Sequence, residues 1–201
     1  MDIDQLERAL REHTGEFLCR RMHDEGTTKR VRFAHVVTPP LSSATVPAIG
    51  RLNDLYARVG SVVLYHDAES GDAARYLAPP AEWAALHACF RDWVDDDEEE
   101  DLLPDWLENA IVIGETPRSG NYILMPAEGD MAGRVFEFDH DGLEFTHIAD
   151  DVLAYLATWL EPDARRLRDM ASHMRFSTDG WQTQWWITRL QDNFGRILHN
   201  D

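Results

Sequence analysis

An α+β fold is predicted: a twisted, mostly antiparallel β-sheet with helices packed against it and helical additions at both ends of the chain. Three observations predict it. Between Leu103 and Leu160 short apolar runs are separated by Gly, Pro and Asp-Gly steps, the usual punctuation of antiparallel strands. On either side, apolar residues recur at three- and four-residue intervals, as on one face of a helix. A length of 201 residues supports one well-buried core with terminal additions and is short for two full domains. The expected organisation is therefore a single domain over 1–201, with a core over 47–160 and a helical extension over 161–201.

Ile3, Leu6, Leu10, Phe17 and Leu18 mark a first helix ending near Gly26. The alternation Val31-Arg32-Phe33-Ala34-His35-Val36-Val37 predicts a strand that stops at Pro39-Pro40. Residues 38–46, rich in Pro, Ser and Thr, form a loop and the best boundary before the core. A helix over 47–58 and a strand over 61–65 follow. Pro79-Pro80 opens another helix, because amides of the first turn need no helical partner, and Trp83, Leu86, Phe90 and Trp93 place its apolar face. It stops soon after Val94, where seven consecutive acids repel one another and oppose the negative end of the helix dipole.

Residues 111–114 and 121–125 read as apolar strands and 133–138 as a third. Asp139-His140-Asp141-Gly142 is a tight turn, in which Gly accepts positive φ and Asp bonds to nearby backbone, and 143–146 return as a strand. Ile148, Val152, Tyr155, Leu156 and Trp159 then share one helix face. Pro162 starts a further helix carrying Arg165, Arg166, Arg168 and Arg175, with Leu167, Met170, Ala171 and Met174 as its apolar stripe. After Asp179-Gly180, the spacing of Trp181, Trp185, Leu190, Phe194 and Ile197 predicts a last helix ending near Gly195. Its aromatic face either docks on the core or serves as a contact surface.

Ile113-Gly114 at a strand end, Gly133 leading a strand that ends at Asp139-His140-Asp141, and Ile148-Ala149 at a helix start form an ordered pattern. In it, residues 47–160 resemble the SUKH superfamily, which includes fungal cell-wall-synthesis regulators and bacterial immunity proteins that neutralise polymorphic toxins. An earlier Asn-Gly-Gly-like step of that family is present only as Val59-Gly60-Ser61, and 1–45 and 161–201 have no counterpart in its minimal pattern. The resemblance implies a non-enzymatic binding protein, immunity or regulatory, that needs no cofactor.

With 37 acidic and 19 basic residues the formal net charge is −18, which opposes nucleic-acid phosphates and anionic membranes and favours a basic protein partner such as a toxin domain. No signal-like N-terminal segment and no apolar run long enough for a bilayer are present, so a soluble cytoplasmic protein is expected. Cys19 and Cys89, both in stretches that read as helix, are expected to be reduced, buried thiols.

The candidate partner-binding residues are the acidic run Asp95, Asp96, Asp97, Glu98, Glu99, Glu100 and Asp101. It is either a solvated, solubilising loop or a charged lure that speeds encounter with a basic surface. It lacks the spaced ligands and fixed Gly of a calcium loop. Asp139-His140-Asp141 offers metal-ligand chemistry, yet a hairpin turn accounts for it through backbone geometry. Cys19 and His23, four apart on the expected helix, have no second ligand pair at recognisable spacing, so no metal is expected. Gly114-Glu115-Thr116-Pro117-Arg118-Ser119-Gly120 is spaced wrongly for a phosphate loop and lacks its Lys. Two alternatives of other classes are an enzyme with a site around His66, His140 and neighbouring acids, and an acidic mimic of nucleic acid.

Overall fold

The computed structural model describes residues 2–41, 46–94, 103–180 and 182–200. Helix α1 (Ile3–Glu12) begins where the Asp2 carboxylate accepts from the Gln5 amide at 2.8 Å, and its Leu6 and Leu10, one turn apart, are buried. It stops at His13 rather than near Gly26. The next residues form a hairpin, β1 (Thr14–Arg21) and β2 (Asp24–Val37), in which Phe17 and Cys19 are both buried two residues apart. That is the period of a strand, so the expected helical setting of Cys19 and its helix-face pairing with His23 are corrected.

Helix α2 (Leu52–Tyr56) is shorter than the sequence predicts. Strands β3 (Val62–His66) and β4 (Arg75–Leu77) follow, the latter unanticipated. A 3₁₀ turn (Pro80–Glu82) leads into α3 (Trp83–Val94), and a second (Asp105–Asn109) leads into β5 (Ala110–Thr116). The expected core strands then appear in order: β6 (Asn121–Pro126), β7 (Val135–Asp139) and β8 (Glu144–Ala149). Ile148 belongs to β8. Helix α4 (Val152–Leu160) begins at an Asp151 cap, and α5 (Ala164–His173) at an Asp163 cap on the Arg166 amide.

The expected C-terminal helix is instead a second hairpin, β9 (Trp185–Asp192) and β10 (Ile197–His199). Among the described residues ten strands make one sheet in the order β10-β9-β1-β2-β3-β4-β5-β6-β7-β8, every neighbouring pair antiparallel. This is the α+β architecture the sequence predicts, with the C-terminal addition built from helix α5 and a strand hairpin instead of two helices. No helix among the described residues is long and apolar enough to cross a membrane.

The two halves of the sheet are covered differently. On the inner face, α1, α2, α4 and α5 bury Phe17, Phe33, Leu64, Ile113, Ile123 and Leu190 in one core. On the outer face, α3 covers only the second half, where Phe90 and Val94 pack on Val112, Tyr122, Leu124 and Phe138. Burial patterns record the difference. Residues 122–126 of β6 are all buried, whereas residues 31–37 of β2 alternate buried and exposed without a break.

Gly50 and Gly133 let the α2 entry lie directly on the β7 entry. Both have positive φ, and a Cβ on Gly50 would stand 2.3 Å from the Gly133 carbonyl oxygen.

Candidate functional site

Arg75 lies opposite Leu64 in the β3–β4 register and Glu137 opposite Ile123 in the β6–β7 register, so both side chains enter the inner core. Arg75 is almost wholly buried. Its Nε and Nη2 donate to the two Glu137 carboxylate oxygens at 3.0 and 3.2 Å, and Nη2 also reaches Asp169 Oδ2 of α5 at 2.7 Å. Nη1 donates to the Ala74 carbonyl at 2.8 Å, and the guanidinium lies 4.6 Å from the Trp159 ring centre. The Tyr155 hydroxyl completes the cluster by donating to Glu137 Oε1 at 2.8 Å.

Two carboxylates on one guanidinium divide its charge unequally. Burial pushes Glu137 up, but Arg75 and the Tyr155 hydroxyl outweigh it and hold the carboxyl below its usual range. Burial raises Asp169, and the Glu137 charge adds to that rise. A cleft of about 130 Å³ opens beside the pair, lined by Trp159, Asp163, Arg165 and Arg166.

A second buried network joins the two hairpins. Two residues of β2, Ala34 and Val36, face His66 and Val63, so β3 carries an extra residue there and Tyr65 takes φ 54°. The Tyr65 amide donates to His35 Nδ1 at 2.9 Å, which makes Nδ1 the acceptor and Nε2 the protonated nitrogen of neutral His35. His35 Nε2–H therefore donates to His13 Nδ1 at 2.8 Å, and His13 Nε2–H to Asp192 Oδ2 at 3.3 Å. Burial lowers both imidazoles, His35 to about 3, with the neighbouring His13 adding to the effect there. Asp192 Oδ1 also accepts from the Phe194 and Arg196 amides, and the Phe194 ring stacks on His13.

The residues nominated from sequence are placed apart. The acidic run Asp95–Asp101 and Trp181 lie outside the described residues. His66 ends β3 and His140 sits in the β7–β8 turn, with β4, β5 and β6 between them, so they do not share a site. His140 Nδ1 bonds Asn121 Oδ1 at 2.7 Å and its ring packs on Trp93 at 4.6 Å. Ligand atoms of Asp139, His140 and Asp141 lie within 4.8 Å of one another, but the Asp139 side chain accepts from the Asp141 amide at 3.1 Å, as a turn requires. The positive φ expected at Gly142 falls on Leu143, at 49°. Cys19 is buried, its thiol pushed up to about 12 mainly by burial, while Cys89 is exposed, contrary to expectation.

The large open surface lies elsewhere. The outer face of β10, β9, β1, β2 and β3 carries no described helix, and a groove of about 660 Å³ crosses it between Glu16, Arg32, Val36, His66, Gln191 and Asn193. Trp186, Ile197 and Val36 are exposed on or beside it. Sequence reasoning missed this face because it nominated residues by chemistry, whereas the face follows from what α3 leaves uncovered. No family model, curated protein or solved structure matches the chain.

Proposed function

We propose that this protein is a SUKH-like binding protein, immunity or regulatory in role, that sequesters a protein partner without chemistry of its own. One observation carries the reading: half of a continuous sheet presents its outer face to solvent while the other half is covered on both sides. Natural antiparallel sheets do leave one face wet, but this one combines a broad groove with an exposed Trp and flanking Arg, residue types that dominate binding hot spots.

Further support comes from where the strongest acid–base groups sit. Arg75, Glu137, Tyr155, His13, His35 and Asp192 use their donors and acceptors on one another in the interior. The segments that resemble the SUKH pattern fall inside β5, at the entry and turn of the β7–β8 hairpin, and at the end of β8 before α4. The net charge of −18 favours a partner basic overall, such as a toxin domain.

Acid–base catalysis in the α5 cleft is a second reading with one observation in its favour, the divergent shifts of Glu137 and Asp169. Against it, both carboxylates are engaged by Arg75, and the cleft of about 130 Å³ is well below the roughly 300 Å³ of ordinary ligand pockets. The discriminating experiment is neutralisation. The product of the adjacent reading frame is expressed in a test host with and without this protein; growth restored by the wild type and equally by Asp169→Asn supports sequestration. Rescue lost in a folded Asp169→Asn variant points to chemistry instead.

A further inference from the structure

The register of β9, β1 and β2 assigns each outward side chain to a row. Gln191, Glu16 and Arg32 form one row; Arg189, Leu18 and Arg30 the next; Trp186, Arg20 and Thr28 a third. Their neighbours Phe17, Cys19, Val31, Ile187 and Leu190 point the other way and are buried. Among the described side chains these three rows hold four arginines and one carboxylate, in a chain with 37 acids and 19 bases. Glu16 pairs with Arg30, and among the described residues neither Arg32 nor Arg189 has a carboxylate partner. Leu18 occupies the centre, and Trp186 flanks it with Arg175 over its ring.

We infer that this face docks an extended, acidic polypeptide segment whose carboxylates fall at alternate residues. The inference deepens the reading of the chain as a binding protein and rests on it, naming what the partner presents to this face. Outward residues along one strand repeat about every 6.8 Å and neighbouring strands lie about 4.8 Å apart, so Arg32 and Arg189, one row and two strands apart, stand about 12 Å from each other and match carboxylates four residues apart on one side of an extended chain. Guanidinium groups pair with carboxylates in a planar fork, and Leu18 and Trp186 supply the apolar contact that lysine-like point charges alone would lack. A long nucleic acid fits less well. It would run past a patch only three strands wide onto a surface carrying the remaining negative charge, whereas a short peptide segment would not. A partner basic overall with one acidic segment satisfies both this face and the net charge.

The test is fluorescence anisotropy with a labelled twelve-residue peptide alternating Glu and Thr. The wild type is expected to bind at low salt and to lose affinity as salt rises, while the Gln-for-Glu version of the peptide does not bind. The double variant Arg32→Glu/Arg189→Glu should weaken binding at least tenfold, and Arg8→Glu on the exposed face of α1 should change it less than twofold; circular dichroism checks that both stay folded. No binding at low salt, equal weakening by Arg8→Glu, or tighter binding of oligothymidylate of equal charge would overturn the inference. So would peptide-independent self-association that the double variant abolishes, since the face would then belong to a second copy. If the double variant still neutralises the adjacent-frame product as well as the wild type, this inference fails while the binding-protein reading stands.

Discussion

His35 shows how a single side chain is set by its neighbours. A residue inserted in β3 releases the Tyr65 amide from the ladder, the amide fixes the His35 tautomer, and the tautomer sets the direction of every bond out to Asp192. The folded protein resists protonating its buried imidazoles. His13 is lowered, His35 to about 3 and the buried His173 to about 4, against an ordinary 6.5 that the unfolded chain regains. The unfolded state therefore binds more protons as pH drops below about 6.5, and stability falls from there towards pH 3 to 4. Glu137, held low, acts in the same direction at lower pH, and Asp169, held high, acts against it. Melting temperature should decline between pH 7 and 5, where most carboxylates stay ionised; a flat or rising profile over that interval contradicts the buried, neutral state of His13, His35 and His173. Arg75→Met, which strands Glu137 and Asp169 near one another, should cost about 3 kcal/mol in denaturant unfolding, and adding Glu137→Gln should recover part of it. His140→Ala, in a partly exposed turn, should cost about 1 kcal/mol, with elemental analysis unchanged from wild type. None of the buried pairings was legible beforehand. Asp192 and His13 are at opposite ends of the chain, and only strand order brings them together.

At the scale of elements, the sequence was readable where period and punctuation agreed. Residues 111–114 and 121–125 lie in β5 and β6, 135–138 of the expected 133–138 lie in β7, and Leu167 and Met170 are buried on α5 as their spacing predicts. The C-terminal hairpin misled for a physical reason. Opposite Leu18 and Cys19, β9 carries an extra residue, Thr188, so its buried positions Ile187 and Leu190 are three apart instead of two. The expected helix rested instead on Trp185, Leu190, Phe194 and Ile197, of which only Leu190 is buried, so its intervals joined residues of both strand faces and of the β9–β10 turn. The buried Leu190 should cost 2 to 5 kcal/mol when truncated to Ala, whereas Phe194→Ala, at 62% exposure, should cost about 1 kcal/mol; a helix docked through both would give similar losses. Deleting residues 177–201 exposes the β1 edge and removes Asp192, leaving buried His13 without its carboxylate, and should abolish cooperative thermal unfolding.

Across the whole molecule, α3 divides the sheet into a doubly covered half and an open half, and the register gathers arginines on the open one. Composition alone announced an acidic protein and led to the expectation of a basic partner. It held no sign of the segregation, because which of two alternating sets faces water depends on strand pairing, and β1 and β9 were read as helices. The SUKH-like pattern covered the half of the sheet that is most buried, and so pointed away from the open face. The open face is the account's central claim, and amide hydrogen exchange with the partner bound tests it most directly. Binding of the neutralised partner should slow exchange in β1, β2 and β9, with β6 and β7 unchanged. Protection confined to α5 and the β7–β8 hairpin, leaving residues 14–37 and 185–192 untouched, would contradict it.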